Sequence, residues 1–215
     1  MDKNKSVLIQ DEEFIFDCRR VIYWPRKKIL FAADLHWGKT QYLRNHGIAV
    51  SDAVLDADLE RLTHIFRDYD ITTFMVLGDL VHHEGALSPE IVRKIADFRH
   101  SNPIELLLVK GNHDRFTKFP QAWGIIEEKE MVIDNFVFVH DQKKREKRYQ
   151  FCGHIHPMMK LTSSIDSLRL PSFMLLQKLC YLPAYSHLTG GKDMKLLRGE
   201  KALVLMPEGL ELFER

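Results

Sequence analysis

The sequence predicts an α/β fold, because strand-like and helix-like segments alternate through its first half. Apolar runs at residues 28–33, 72–77 and 104–109 have the length and composition of buried strands. Apolar residues recur at helical spacing over residues 51–69 and 88–98, which predicts a helix between each pair of strands. This β-α-β-α-β order is typical of parallel strands with helices packed on the sheet.

Capping residues support both predicted helices. Ser51 stands at the start of the first, where its hydroxyl can accept a backbone N–H. Ser88 precedes Pro89 at the start of the second, and proline is favoured at the first helical position. We therefore expect the helices to begin near these two serines.

Further strands are expected on both sides of this unit. Before it, the pattern predicts strands at residues 6–10, 13–17 and 19–24. After residue 125 the chain changes to short strands, which are predicted at residues 131–139, 148–152, 168–176, 202–206 and 210–213. The charged segment DQKKREKR (141–148) lies between two of them and indicates an exposed turn.

Composition excludes several classes of protein. The 215 residues are 45% hydrophobic and 28% charged, an ordinary globular balance. The formal net charge of +1 excludes a strongly basic footprint, so any nucleic-acid contact must come from a local patch. The three cysteines are far apart, and neither a signal peptide nor an uninterrupted membrane-spanning stretch is found. We expect a cytoplasmic protein without a membrane partner.

Carboxylate, amide or imidazole side chains follow five of the predicted strands. In chain order they are Asp34 and His36, Asp79 and His82, Asn112 and His113, His140, and His154 with His156. An isolated His-x-His at a strand end is more often a surface or core pair than a ligand set, but five such segments in order are not explained that way. Because open α/β sheets bind ligands at this edge, we expect these side chains to form one cluster.

The residue types in this cluster indicate metal chemistry. Mixed oxygen and nitrogen donors without cysteine suit Mn²⁺, Fe or Zn²⁺. The donors suffice for two ions, and Asp79, central in the order of motifs, is the candidate bridge between them. Two metals roughly 3.5–4 Å apart can clamp the attacking and leaving oxygens of a phosphate displacement. The sequence therefore predicts two divalent ions, most simply Mn²⁺, and phosphoester hydrolysis.

The motifs DLH, GDLVHH, GNHD, VHD and GHIH resemble the five signature blocks of calcineurin-like metallophosphoesterases. The resemblance implies a four-layer αββα fold, with two facing mixed β-sheets flanked by helices, as a single domain over residues 1–215. It implies a first metal held by Asp34, His36, Asp79 and His156, and a second held by Asp79, Asn112, His140 and His154.

The same resemblance implies roles for the remaining polar residues. His113 would bind the phosphate and protonate the leaving oxygen. His82 stands three residues after Asp79, as in the nuclease and phosphodiesterase branch, where this histidine pairs with that of GNHD. Asp114 is expected to close its loop by local hydrogen bonds.

Two C-terminal segments resemble a narrower family. LRLPSF (168–173) and LPAYSHLTGG (182–191) are similar to the signature of ligase-associated DNA-damage-response metallophosphoesterases, and HWGKTQYLRNHGI (36–48) also fits. This resemblance implies a DNA endonuclease with a functional link to an ATP-dependent DNA ligase and a helicase. The sequence departs from the pattern of this narrower family at Trp37, at Asp141 with Gln142, and in AYSHL. The metal blocks are intact.

Three cations are expected to contact the substrate. Lys39 and Arg44 follow the first metal block, and Arg115 follows GNHD. The first two could instead be solvated, or could close on the scissile phosphate itself. Two other functions remain open: a phosphodiesterase for small or cyclic nucleotides, and a non-catalytic interaction protein of the same fold. The complete set of motif residues disfavours the second of these.

Overall fold

Two mixed β-sheets face each other across a shared apolar core. The structure is a computed structural model, and it describes residues 2–51, 53–162 and 166–215. Within these residues the two sheets contain seven and nine strands. None of the described helices is long and apolar enough to cross a membrane.

The first sheet is formed by the N-terminal half of the chain, in sequence order. Its strands are β1 (Asn4–Ile9), β2 (Glu12–Asp17), β3 (Val21–Trp24), β4 (Ile29–Ala32), β5 (Thr73–Leu77), β6 (Glu105–Val109) and β7 (Ile125–Glu128). The pairs from β1 to β4 are antiparallel. The pairs from β4 to β7 are parallel, as the alternation of strands and helices predicts.

The second sheet is formed by the C-terminal half. Its strands are β8 (Met131–Ile133), β9 (Phe136–Val139), β10 (Tyr149–Cys152), β11 (Pro157–Thr162), β12 (Ser167–Leu175), β13 (Leu179–Tyr181), β14 (Lys192–Met194), β15 (Lys201–Met206) and β16 (Gly209–Glu214). Its main order is β14-β11-β12-β13-β10-β9-β8, with β15 beside β12 and β16 beside β15. The pairs β9–β10 and β10–β13 are parallel, so β9 and β10 end at the same edge.

Three α-helices connect the strands of the first sheet: α1 (Lys39–Asn45), α2 (Ala53–Asp68) and α3 (Pro89–Ser101). The predicted helix over 51–69 is confirmed over Ala53–Asp68; residue 52 lies outside the described residues. The predicted Ser88 cap is also confirmed, since its hydroxyl accepts a hydrogen bond from the Ile91 N–H at 3.3 Å.

The period-2 alternation of the parallel strands divides the core into two layers. Phe31 and Met75 face the second sheet, where Phe31 lies 5.0 Å from Phe151 between ring centroids. The intervening residues Leu30 and Phe74 face the apolar stripes of α2 and α3. The first sheet is therefore fixed on both faces, which makes its strand ends a rigid support.

The α/β fold with two facing mixed sheets is confirmed, but in the described part of the chain only the first sheet is covered by α-helices. Every described α-helix precedes residue 124, and α2 and α3 pack on the first sheet. On the outer face of the second sheet, a third apolar cluster includes Met159 and Leu161 of β11. The helical layer on that side is absent from the described residues.

Some predicted elements are wrong in detail. The single strand expected at residues 131–139 is two antiparallel strands, because Asp134 has a φ of 54° and forms a tight turn. Helix α1 and strands β7, β11, β13 and β14 were not expected. These elements are short, and several carry polar residues where a strand pattern needs apolar ones.

Candidate metal centre and active site

The polar segments predicted to cluster meet at the seam between the two sheets. β4, β5 and β6 are parallel and deliver Asp34 with His36, Asp79 with His82, and Asn112 with His113 at one edge. β9 and β10 deliver His140, His154 and His156 from the opposite sheet. Side chains of the two sheets contact each other across this seam.

Asp34 is the buried centre of a first group of donors. Its carboxylate is fully buried and accepts a hydrogen bond from the His154 backbone N–H at 3.0 Å. His156 Nε2 lies 3.2 Å from Asp34 Oδ1. Asp34, His36 and His156 each offer one donor atom within 4.8 Å of the others. This spacing suits a single metal ion bound by three protein ligands.

A second group consists of Asp34, Asp79 and His140. His140 Nε2 lies 3.4 Å from Asp79 Oδ2, and His154 Nδ1 lies 3.2 Å from His140 Nε2. The Asn112 amide approaches His154 Nδ1 at 3.4 Å, which brings this predicted ligand into the same group. These two groups overlap through Asp34, and a third group of His36, His82 and His113 adjoins them through His36. The bridging role of Asp79 stays a prediction.

Three histidines are oriented in the same way, by a backbone carbonyl that faces Nδ1. His113 Nδ1 lies 2.6 Å from the His82 carbonyl, His140 Nδ1 lies 2.9 Å from the Leu77 carbonyl, and His156 Nδ1 lies 3.0 Å from the Gly190 carbonyl. Because a carbonyl can only accept, each Nδ1 carries the hydrogen, and Nε2 is left for the cleft. This is the arrangement that metal-binding and proton-transferring histidines require.

His36 tests whether these residues fit a metal. Its ring is buried, and neither ring nitrogen has a hydrogen-bond partner among the described residues. Burial lowers the pKa of His36 to about 2, so the ring is neutral and one nitrogen is free to donate a lone pair. A buried, unpartnered imidazole beside two carboxylates fits a metal ligand better than a core residue.

The electrostatics of the cluster also favour cations. Burial alone would raise the pKa of Asp79, but the hydrogen bond and charge of His140 hold it well below its usual range. Burial would lower the pKa of His140, but its hydrogen bond to Asp79 and the charge of Asp34 raise it to about 9. A positive charge beside these buried carboxylates is therefore favourable, and a divalent ion would supply one.

The backbone of the site is held in an uncommon conformation. Residues with L side chains in the left-handed region cost about 1–3 kcal/mol each and cluster at functional sites. Here they are Asp34, His36, Asp79, His154 and His156, with φ between 47° and 73°. Gly111 permits a close approach, since a Cβ there would lie 2.2 Å from Asp79 Oδ1. A Cβ on Gly78 would lie 2.1 Å from His140 Nδ1.

Asp114 does more than close its own loop. Its buried carboxylate accepts hydrogen bonds from the backbone N–H groups of Gly111 at 2.9 Å, Val81 at 3.3 Å and Leu80 at 3.4 Å. The first bond is local, as expected from the sequence. The other two tie the GNHD loop to the loop that carries Asp79 and His82, and thereby fix His113 against the cluster.

The family model described as calcineurin-like phosphoesterase matches residues 27–170. The chain belongs to the calcineurin-like phosphoesterase family. Members of this family hydrolyse phosphoester bonds and use divalent metals, which agrees with the donor groups described above.

The crystal structure of Pseudomonas putida nuclease MPE is similar to this chain, with a TM-score of 0.82 and 26% sequence identity. The similarity covers 94% of this chain and 96% of the other. It supports both the fold and the narrower resemblance drawn from the C-terminal segments. No curated protein sequence matches this chain.

The hydrogen bond between His82 and His113 uses the His82 backbone and does not join the two rings. Its carbonyl accepts the His113 Nδ1–H, while the two rings stack with centroids 5.1 Å apart and planes 26° apart. Burial, with the charge of Lys39 next, lowers the pKa of His82 to about 4. The two residues are in contact, and the pairing of their rings in catalysis stays a prediction.

The three expected substrate cations lie in different surroundings. Lys39 begins α1. Its pKa is lowered by burial, and the charge of Asp34 opposes this shift. The effect of Asp34 indicates that Lys39 lies near the donor cluster. Arg44 donates to Gln41 Oε1 at 2.7 Å and to the Val50 carbonyl at 3.3 Å, within its own segment. Arg115 is exposed in the GNHD turn. Their role in binding stays a prediction.

The segment LPAYSHLTGG has a role that the sequence reasoning missed. Its Tyr185 N–H donates to the Ala33 carbonyl at 2.8 Å, and the Ser186 N–H donates to the Asp34 carbonyl at 3.3 Å. Gly190 orients His156, as described above. The segment therefore braces both sides of the first donor group, which explains why a signature lies so far from the metal motifs.

Proposed function

We propose that this phosphoesterase is a two-metal phosphodiesterase that cleaves nucleic acid, with DNA as the preferred class. The observation that carries the proposal is the convergence of both sheets on overlapping donor groups, one of which contains His113. The similarity to a bacterial nuclease supports a diester substrate. A DNA-repair role, with links to an ATP-dependent ligase and a helicase in the cytoplasm, belongs to the same proposal.

The residues present fit two divalent ions. Asp34, His36, Asp79 and His156 would hold the first, and Asp79, Asn112, His140 and His154 would hold the second. When bound, such ions polarise the phosphate and lower the pKa of water. Mn²⁺ is the simplest choice for this mixture of carboxylate, amide and imidazole, and Fe or Zn²⁺ also suits it.

We infer that His113 moves a proton at its Nε2 atom. Its Nδ1–H is committed to the His82 carbonyl, so the proton that distinguishes imidazolium from imidazole sits on Nε2. That atom lies 3.8 Å from Asp79 Oδ2, at the border of the donor cluster. A protonated His113 would hold the scissile phosphate and give this proton to the leaving oxygen. The stacked ring of His82 would keep His113 in place.

A diester needs this proton more than an aryl monoester does, because an alkoxide leaves poorly. Lys39, near Asp34, would neutralise charge on the substrate. Phosphodiesterase activity on small or cyclic nucleotides is the competing function, because the same donor groups could also hydrolyse the phosphodiester bond of a small nucleotide.

The test is an activity panel with metal-depleted protein. Chelation is expected to abolish activity, and Mn²⁺ is expected to restore it better than Mg²⁺, since the site is rich in imidazole. The substrates are an aryl diester, an aryl monoester, a cyclic nucleotide, and single- and double-stranded DNA. The proposal expects hydrolysis of the diester and of DNA. Hydrolysis of the cyclic nucleotide without cleavage of DNA would support the competing function instead.

A further inference from the structure

We propose that Phe116, Arg115 and Lys129 form a nucleotide subsite on the side of the metal centre where Asn112 and His140 lie. The base of a nucleotide next to the scissile phosphate would stack on Phe116. The phosphate of the same nucleotide would be held by Arg115 and Lys129. The inference rests on the proposed function and names how that site engages its substrate.

A pocket of about 180 Å³ adjoins the donor cluster at this side. Asn112 and His140 form part of its wall, so a chain bound at the metal centre can continue into it. The pocket is also lined by four cations, which are Lys110, Arg115, Lys129 and Lys143. Two carboxylates, Glu130 and Asp141, line it as well, so cations outnumber anions.

The fold brings these cations together at one sheet edge. β7 is parallel to β6, with Glu128 in register with Val109. Lys110 and Lys129 directly follow these strands, and the Lys110 N–H donates to the Glu128 carbonyl at 2.8 Å. Lys129 therefore leaves the sheet at the edge where Asn112 and His113 follow β6.

The cations differ in what they already bind. Lys110 forms an ion pair with Glu127 at 2.6 Å, and Lys143 forms one with Glu130. Arg115 and Lys129 are exposed, and neither has an ion pair among the residues that the structure describes. Their charge is therefore available to a phosphate, whereas Lys110 and Lys143 are neutralised by neighbours.

Phe116 is the second element of the subsite. Its side chain is 87% exposed, the highest value among the exposed large hydrophobic residues of the described chain. Its backbone is nevertheless fixed, because it stands between Asp114 and Thr117, both buried. The Thr117 N–H donates to the Asp114 carbonyl at 3.1 Å, and its hydroxyl donates to the His113 carbonyl at 3.2 Å.

Folding gives no reason for a solvent-exposed phenyl ring three residues from His113. A stacking platform beside a basic pocket is the combination that holds a nucleotide, with the ring contacting the base and the cations contacting the backbone. A small aryl diester lacks the additional nucleotide and would not use this subsite. The subsite would thus distinguish a polynucleotide from a small phosphodiester.

Binding tests the stacking contact in the presence of chelator, where no cleavage occurs. The probe is a short oligonucleotide with one 2-aminopurine, whose fluorescence is quenched by stacking. Wild type and Phe116→Trp should quench it, and Phe116→Ala should weaken binding roughly fivefold to a hundredfold, the usual worth of one stacked base. Leu197→Ala is the matched control, since Leu197 is 66% exposed and lies outside the pocket. Equal quenching and affinity in wild type and Phe116→Ala would overturn the stacking contact.

Salt dependence tests the phosphate contact. Arg115→Gln combined with Lys129→Gln should flatten the slope of log K against log salt by about 0.7, the value for one phosphate of a single strand. Lys178→Gln is the control, because Lys178 is exposed and precedes β13, at the edge opposite His154 and His156. An unchanged slope in the double variant would overturn the phosphate contact.

Activity separates this inference from the proposed function. With Mn²⁺, Phe116→Ala should lower kcat/KM for DNA more than for an aryl diester. If wild type hydrolyses neither substrate, the proposed function fails, and the binding measurements still decide the subsite. If wild type cleaves DNA but the Phe116 and Arg115–Lys129 variants bind and cleave like wild type, the subsite alone is wrong.

Discussion

At the scale of single residues, His113 shows what a motif states and what it omits. The resemblance of GNHD to a family motif implies a phosphate-binding acid beside a metal ligand. The motif could not reveal that the Nδ1–H is held by the His82 carbonyl, because backbone partners depend on how two loops meet. The left-handed φ values of Asp34, His36 and Asp79 were equally hidden, because Asp and His adopt this region more often than most residues but still at only a few positions.

His113→Ala is expected to lower kcat by roughly 10²–10⁴, the usual contribution of a positioned acid. The loss should be smaller for a nitrophenolate leaving group, which scarcely needs a proton. Metal content should stay at the wild-type level. His64→Ala is a matched control, because His64 is exposed on α2, where its Nε2 lies 3.7 Å from Glu60 Oε1. Equal losses on good and poor leaving groups would leave His113 with phosphate binding alone.

At the scale of elements, the site depends on loops that are tied to each other more than on the strands themselves. Asp114 joins the loops after β5 and β6, and the segment 182–191 braces the loop after β4. The parallel strands were predictable, since buried apolar runs with intervening helices have few other solutions. The braces were not, because they pair residues distant in sequence.

Asp114→Ala should destabilise the fold by about 2–4 kcal/mol, because it leaves buried backbone N–H groups without an acceptor. Asp114→Asn should cost less, since one amide oxygen remains to accept. Equilibrium urea denaturation measures both. If the alanine variant unfolds at the wild-type urea concentration, the carboxylate does not hold the two loops together.

At the scale of the whole molecule, the candidate metal centre lies at the seam of two sheets. The first sheet supplies Asp34 and Asp79, and the second supplies the histidines that face them. The first sheet was largely predictable, whereas β11, β13 and β14 were missed. β13 and β14 have only three residues each, and β11 is only partly buried, so none of the three strands gives a clear periodic signal.

The number of Mn²⁺ ions bound per chain tests the central claim most directly, measured by elemental analysis after gel filtration. Wild type is expected to bind two. Asp79→Asn is expected to lose both, because Asp79 is assigned to both ions, whereas Asp34→Asn should retain one. Two ions at full occupancy in Asp79→Asn would contradict the assigned bridge, and fewer than two in the wild type would contradict the two-metal site itself.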